Sequence, residues 1–331
     1  MAEPVPMVEL WRGGRLESLH RGHAVICDAT GQVVEAWGDP QALIFPRSSC
    51  KMMQALPLLE SGAADAAGLT EAQLALACAS HNGAKIHTDA VSAWLKDLGL
   101  GEPDLRCGSH MPQDAEAAKA LTCSDTKPCQ IHNNCSGKHA GFLTLTRHLK
   151  AGPEYVELDH PVQIAVKDAF EEVTGETSPG FGIDGCSAPN FMTSLTGFAR
   201  ALARFAAARD EGDARQRAMA RLTRAMTRYP EMVAGEGRAC TELMRAMDGR
   251  VAIKTGAEAV FAAILPEQGL GIALKIEDGT TRASEAAICA LLVRAGALDP
   301  DHPATRKRLN AVQTNWRGFE TGILRAVPAF A

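Results

Sequence analysis

Strand-like segments stand at the two ends of this chain and helical ones fill the middle, an order that limits the folds open to it. VELWRGG, LESLHRGHAVICD and QVVEAWGD are short, rich in β-branched and aromatic residues, and bounded by Gly, Asp or Thr-Gly turn signals. The pattern returns after residue 250 in RVAIKTG, AVFAAILPE and LGIALKIEDG, with Gln268-Gly269 and Asp278-Gly279 as turn pairs. Between them, TEAQLALACASH follows an N-cap at Thr70, and KIHTDAVSAWLKDLG sets Ala90, Val91, Trp94, Leu95 and Leu98 at the helical period. SGKHAGFLTLTRHLK and DHPVQIAVKDAFEEVTG read the same way. FMTSLTGFARALARFAAA and ARQRAMARLTRAMTRYP read as a helical pair joined by DEGD, and TRASEAAICALLVRAGA as a final helix after the last strand. The expectation is a single interrupted α/β (α+β) domain over residues 1–331. Its antiparallel sheet is built from both termini (about 1–45 and 250–331), with an inserted helical region over about 46–249. A cleft is expected where the two parts join.

Composition narrows the function classes. The net charge is −5 with no basic run, which argues against nucleic acid or an anionic membrane surface as partner. No apolar run approaches the roughly 18 residues of a membrane span. The opening MAEPVPMVELWRGG carries acid early and has no apolar core, so a signal peptide is not expected and a cytoplasmic location is. The 10 cysteines are scattered rather than spaced as a disulfide framework, and most read as free buried thiols.

Three short motifs carry chemistry. Ser48-Ser-Cys-Lys51 puts a serine and a lysine three apart where a loop becomes a helix, on one face. Ser48 is then either a helix cap or a nucleophile whose proton a lysine made neutral by its surroundings can accept. Ser80-His-Asn82 is either a polar turn after a helix or a proton relay with an amide for a polar substrate. Lys254-Thr-Gly256 is either a strand end or an edge against which a substrate lies. S-x-x-K, S-x-N and K-T-G in this order form the signature of penicillin-recognising serine enzymes, and the conjunction moves Ser48 from cap to nucleophile.

Longer stretches extend the resemblance. PRSSCKMMQALPLLESGAAD, ASHNGAKIHTDAV, RCGSHMP, NNCSGKHAGFL and GIDGCSAPNF resemble the asparaginase II family, the Rhizobium etli-type or class 3 L-asparaginases, from about residue 7 to the end. The resemblance implies a serine β-lactamase-like and glutaminase-like fold, a homodimer, and hydrolysis of L-asparagine to L-aspartate and ammonia. It implies one Ser–Lys pair at Ser48 and Lys51 and a second at Ser80 and Lys254. It also implies a zinc site on Cys135, Lys138 and Cys186; one zinc per chain is expected, accessory to catalysis because a Ser–Lys pair can perform acyl transfer alone. Spacing alone does not suggest that zinc site, because lysine binds metal only when neutral and the pattern is unlike ordinary zinc motifs. His139 is a more ordinary ligand type and a rival, or else a substrate-binding residue.

Amide hydrolysis needs an activated nucleophile, a stabilised oxyanion and an acid for the departing ammonia. Ser48 is assigned the attack, Lys51 its proton, and the Ser48 backbone N–H a share of the oxyanion. Arg47 and Asp184 stand beside the motifs as candidates for the substrate α-carboxylate and α-ammonium, and Asn82 as a further polar contact. His81 reads as a polar site-wall residue and His87 as a surface one. Three rivals remain. One is a glutaminase, whose pocket differs by a single methylene. The others are a β-lactamase or penicillin-binding enzyme, and a non-enzymatic zinc- or thiol-binding protein.

Overall fold

The computed structural model describes residues 2–330, which gather into two compact units. The first holds the chain through Ser49, Thr193–Ala207, and the chain from Glu242 onward; the second holds Cys50–Met192 and Ala208–Thr241.

The first unit is built on an antiparallel sheet. Its N-terminal strands are β1 (Val5–Arg12), β2 (Arg15–Asp28) and β3 (Val33–Trp37), with a short β4 at Leu43–Ile44. In the second unit, β5 (Phe181–Ile183) and β6 (Pro189–Phe191) form a separate hairpin. The first unit resumes with β7 (Thr193–Ser194), which pairs with β4, then β8 (Ala252–Thr255), β9 (Val260–Leu265), β10 (Leu270–Ile276), β11 (Ala311–Thr314) and β12 (Glu320–Ala326). The large sheet runs β11-β12-β1-β2-β10-β9-β8, with β3 on β2. The long β2 serves three partners. Its first half pairs β1, and its second half carries β10 and β3 on opposite edges. This is the antiparallel sheet from both termini that the sequence implies, with mainly helical chain between them.

Strand β9, VFAAIL, is buried at all six positions, so both faces of the sheet are covered there. Helix Thr281–Arg294 packs on β1, β9, β10 and β12, and helix Leu195–Ala207 on β2, β9 and β10. The second contact is close. A Cβ on Gly271 would lie 2.1 Å from the Ala203 nitrogen and 2.4 Å from the Ala199 oxygen, so only glycine admits the helix backbone there.

Two readings of the sequence are corrected. FMTSLTGFARALARFAAA is not half of a helical pair: Phe191 ends β6, Thr193–Ser194 is β7, and the helix that starts at Leu195 packs on the sheet. Its supposed mate, Ala214–Arg228, packs in the second unit on Leu56–Glu60 and Glu71–Ala77. Its five arginines sit on its solvated side, where they meet Glu60, Asp65, Glu71 and Asp210 or the Gly212 carbonyl. Nor is Thr281–Arg294 the last element, because β11 and β12 follow. They form a hairpin closed by Asn315, whose Oδ1 accepts the N–H groups of Arg317 and Phe319.

The second unit surrounds helix Ser136–His148, which is buried at every position from Ser136 through Thr146. Helices Leu56–Glu60, Ala63–Ala66, Glu71–Ala77, Lys85–Asp97 and Pro161–Thr174 pack on it. Thr70 caps Glu71–Ala77 through a reciprocal bond with Gln73. Among the described residues no helix is long and apolar enough to cross a membrane.

Gly271→Ala will destabilise the protein by about 2–3 kcal/mol, since the added methyl meets backbone on two sides. Gly152→Ala, at a site where a Cβ meets nothing within 4 Å, will stay within about 0.5 kcal/mol. Urea melts of the two variants will show the difference as a shifted midpoint at unchanged slope.

Candidate active site

The first unit supplies Ser48 and the K-T-G strand. Arg47–Cys50 is one 3-10 turn that runs into helix Lys51–Gln54. That helix has Cys50 at its N-cap and no side-chain cap bond, and the hydroxyl that bonds local backbone belongs to Ser49, on the Pro46 oxygen at 2.5 Å. Ser48 is therefore not its cap. Arg47, just before it, has φ +54°, a left-handed conformation that strains a residue with a side chain and sets the direction of the turn. Gly256 of K-T-G lies against this turn. A Cβ there would stand 2.7 Å from the Pro46 oxygen and 3.1 Å from the Ser49 nitrogen. Lys254, at the inner end of β8, is fully buried, and its Nζ donates to the Thr255 carbonyl at 2.7 Å.

The second unit brings together more of the predicted residues. Lys51 is 1% exposed; its Nζ is 2.5 Å from the Ala79 oxygen, 3.0 Å from Ser80 Oγ and 3.1 Å from Cys135 Sγ. The Lys51–Ser80 contact is one that the motifs did not pair. Lys138 Nζ lies 3.0 Å from Cys186 Sγ. Cys135 is the N-cap of the central helix and Lys138 is in its first turn, while Cys186 sits in the turn between β5 and β6. That turn is tight. Ser187 N donates to the Asp184 oxygen at 2.8 Å, and Ser187 adopts φ +69°.

Charge in this cluster is shared. Cys135 and Cys186 shift in opposite directions: the neighbouring Cys186 sulfur and burial raise the pKa of Cys135, whose Sγ donates to Asn134 Oδ1 at 3.1 Å, while the Cys135 sulfur and the Lys138 ammonium lower that of Cys186. Burial by itself would lower the Lys138 amine, but the two sulfurs, with Asp184, outweigh it and hold the ammonium. His139 is fully buried, which lowers its pKa, with the Cys186 sulfur pulling the other way. Its Nδ1 is 2.8 Å from the Tyr155 hydroxyl, and its Nε2 has no hydrogen-bond partner of good geometry.

The segment carrying Ser80 is held on two sides. Ser80 N and Asn82 N donate to the Val233 and Ala234 carbonyls, each at 2.9 Å, and His81 N donates to the Asn134 carbonyl at 3.1 Å. Asn82 Oδ1 accepts from Ala84 N at 3.2 Å, so this amide also shapes its own loop. His87, expected at the surface, is fully buried. Helix Lys85–Asp97 turns that residue inward with Val91, Trp94 and Leu95, and its ring stacks on His81 at 4.8 Å and 8°. Neither the His81 environment nor Tyr155 is marked by any local motif, since their partners lie far off in sequence.

Most of the remaining thiols are buried as small hydrophobes, but Cys123 is exposed and Cys129 is half-buried with its Sγ 3.3 Å from His132 Nδ1. All 10 cysteines are free. Burial pushes Cys50, Cys107 and Cys289 up to about 12, which makes them inert.

Comparison with curated protein sequences found no match. Among solved structures the chain is similar to a β-lactamase from Mycobacterium bovis, at 10% identity and TM-score 0.45, over 84% of this chain and 95% of that one. It is also similar to a putative β-lactamase from Bacteroides dorei DSM 17855, at 12% identity and TM-score 0.43, over 78% and 87%. A third likeness is to Mglu in its tris and glutamate form, at 13% identity and TM-score 0.47, over 91% and 65%. These likenesses are too distant to carry an argument about the site. The family model described as L-asparaginase II, in contrast, matches residues 8–326, nearly the whole chain. The chain belongs to the L-asparaginase II family and is an amidohydrolase.

Proposed function

We propose that this protein is an L-asparaginase that hydrolyses L-asparagine to L-aspartate and ammonia through Ser48 and an acyl-enzyme. The observation that carries the reading is the buried cluster of Lys51, Ser80 and Cys135 in a chain of this family. Ser48 Oγ attacks the side-chain amide carbon and its proton passes to Lys51. The tetrahedral intermediate collapses, the C–N bond breaks, and the proton leaves with ammonia. Water then cleaves the aspartyl ester, its oxygen joining the carboxylate and one of its protons restoring the Ser48 hydroxyl. Ser80, hydrogen-bonded to Lys51, relays protons, and Lys254 of K-T-G keeps the catalytic role that the family resemblance implies. Arg47 is assigned the α-carboxylate and Asp184 the α-ammonium, with Asn82 and His139 as polar contacts. A homodimer and a cytoplasmic setting belong to the same reading.

The 3.0 Å Lys51–Ser80 contact also favours a second reading, in which Ser80 is the nucleophile and Lys51 its base.

Zinc fits the residues present. Cys135 and Cys186 offer two buried sulfurs, and Lys138 offers its nitrogen at 3.0 Å from Cys186 Sγ. Among the described residues no three His, Cys, Asp or Glu side chains converge on a metal position, so the set depends on Lys138. When bound, zinc would supply a Lewis acid that orients the substrate. Its binding must displace the Lys138 proton and the Cys135 thiol proton.

Three outcomes test this reading. Ser48→Ala will lower kcat by about a thousandfold or more without loss of fold, because Ser48 is no cap of the following helix. Near-normal activity in Ser48→Ala, with Ser80→Ala dead, would transfer the nucleophile to Ser80. Asparagine will be turned over at least about a hundredfold better than glutamine by kcat/KM, since one methylene displaces the amide carbon from the nucleophile. Equal values would identify a glutaminase. Zinc affinity, measured by titration with a competing chelator, will rise with pH, because both displaced protons come off more readily there. Cys135→Ala will lose the metal and raise KM more than it lowers kcat.

A further inference from the structure

We infer that His81 is a positioning residue: its hydrogen bond to Ser136 sets the placement of Ser80 against Lys51 and Cys135. The ring is fully buried, and its tautomer follows from its partners. Gly83 N–H donates to Nδ1 at 3.1 Å, so Nδ1 carries a lone pair. Ser136 Oγ donates its only proton to the Ile131 carbonyl at 2.9 Å, so it can only accept from His81. Nε2 therefore bears the proton and donates it to Ser136 at 2.9 Å. The ring stands neutral with both nitrogens engaged.

The position of this bond gives it its consequence. Ser136 is the first residue of the central helix, directly after Cys135 and two before Lys138. His81 lies directly after Ser80. The bond thus ties the loop that carries Ser80 to the helix start that carries Cys135. Lys51 touches both, at 3.0 Å and 3.1 Å. The His81 backbone N–H adds a second tie, to the Asn134 carbonyl. The stacked His87 keeps the ring from turning, since its own Nε2 is anchored on the Glu231 carbonyl at 2.8 Å. The buried donor–acceptor chain from Gly83 N–H through His81 and Ser136 to the Ile131 carbonyl has each donor engaged and fixes one geometry, while His87 contributes its stacked ring and leaves Nδ1 without a partner. A shift of about 1 Å in a group of this kind costs on the order of a hundredfold in rate.

The inference rests on Ser80 belonging to the reacting group, and the test separates the two. His81→Asn keeps an acceptor near the Gly83 N–H but withdraws the donor from Ser136; His81→Gln keeps a donor at the Nε2 position. Ser136→Ala removes the acceptor and leaves His81 in place. With pure protein and saturating asparagine, His81→Asn and Ser136→Ala will each lower kcat by about tenfold to a hundredfold, with KM within about threefold. His81→Gln will recover most of kcat. The double variant His81→Asn/Ser136→Ala will be no worse than the poorer single, as two ends of one bond require. Additive losses, an unrescued His81→Gln, or full kcat in Ser136→Ala would overturn the inference, even if melting temperatures fall. Ser80→Ala is the reference. If it keeps normal kcat, the assignment of Ser80 fails; if it is inactive while Ser136→Ala is unaffected, only the role of His81 fails.

Discussion

Burial of three lysines is the constraint to which the rest of this structure answers. Lys51, Lys138 and Lys254 are 1%, 3% and 0% exposed. A lysine amine taken out of water, charged or neutral, costs free energy unless polar partners replace its hydration. Those partners cannot come from the middle of a helix or strand, whose carbonyls are already engaged. They come from places where regular structure stops. Ala79 follows helix Glu71–Ala77, Cys186 lies in the turn between β5 and β6, and Thr255 is the last residue of β8. The chain ends its elements where the lysines need oxygen and sulfur.

The central helix makes this arrangement rigid. Most helices of a soluble protein keep one face in water, but Ser136–His148 is enclosed for eleven consecutive residues. Its first turn presents Lys138 and His139, and its cap residue presents Cys135. A group in the first turn of an enclosed helix inherits the helix's fixed position and loses little freedom when a substrate arrives. The charge pattern follows from the same enclosure. With so little water nearby, the Cys186 sulfur is drawn down by Cys135 and then by Lys138, and Lys138 is held up by the two sulfurs with Asp184.

Much of the architecture was legible in the sequence because it is written locally. The apolar run of LGIALKIEDG with its Asp278-Gly279 turn, the cap at Thr70 and the spacing of Val91, Trp94 and Leu95 each reflect neighbours a few residues away. Helix Leu195–Ala207 was misassigned because helical periodicity says nothing of the partner, and that partner is the sheet at Gly271, some 70 residues on. The C-terminal hairpin escaped because β11 is four residues long and begins just after a left-handed Asn310. Within the candidate site, the motifs named Lys51, Ser80 and Cys135 but not the hydrogen bonds that relate them. Nothing near His81 in the sequence points to Ser136, and burial of His87 depends on which face of its helix the tertiary structure covers.

The pairing of β1 with β12 sets a schedule for the making of this protein. Val8 stands opposite Ala326 and Arg12 opposite Gly322, so one edge of β1 is completed by residues synthesised some 310 positions later. At about 5–20 residues per second, that edge waits roughly 15 to 60 s for its partner. Much of the second unit, Cys50–Met192, is available to fold in the meantime. During the wait an apolar strand with open hydrogen bonds is a template for pairing with other chains. Glu9 lies in the middle of β1, and in the finished fold its carboxylate meets Arg325 at 2.6 Å. Before Arg325 exists, the same carboxylate is an unpaired charge that any foreign strand would have to bury. It guards the nascent edge first and fastens the completed one afterwards.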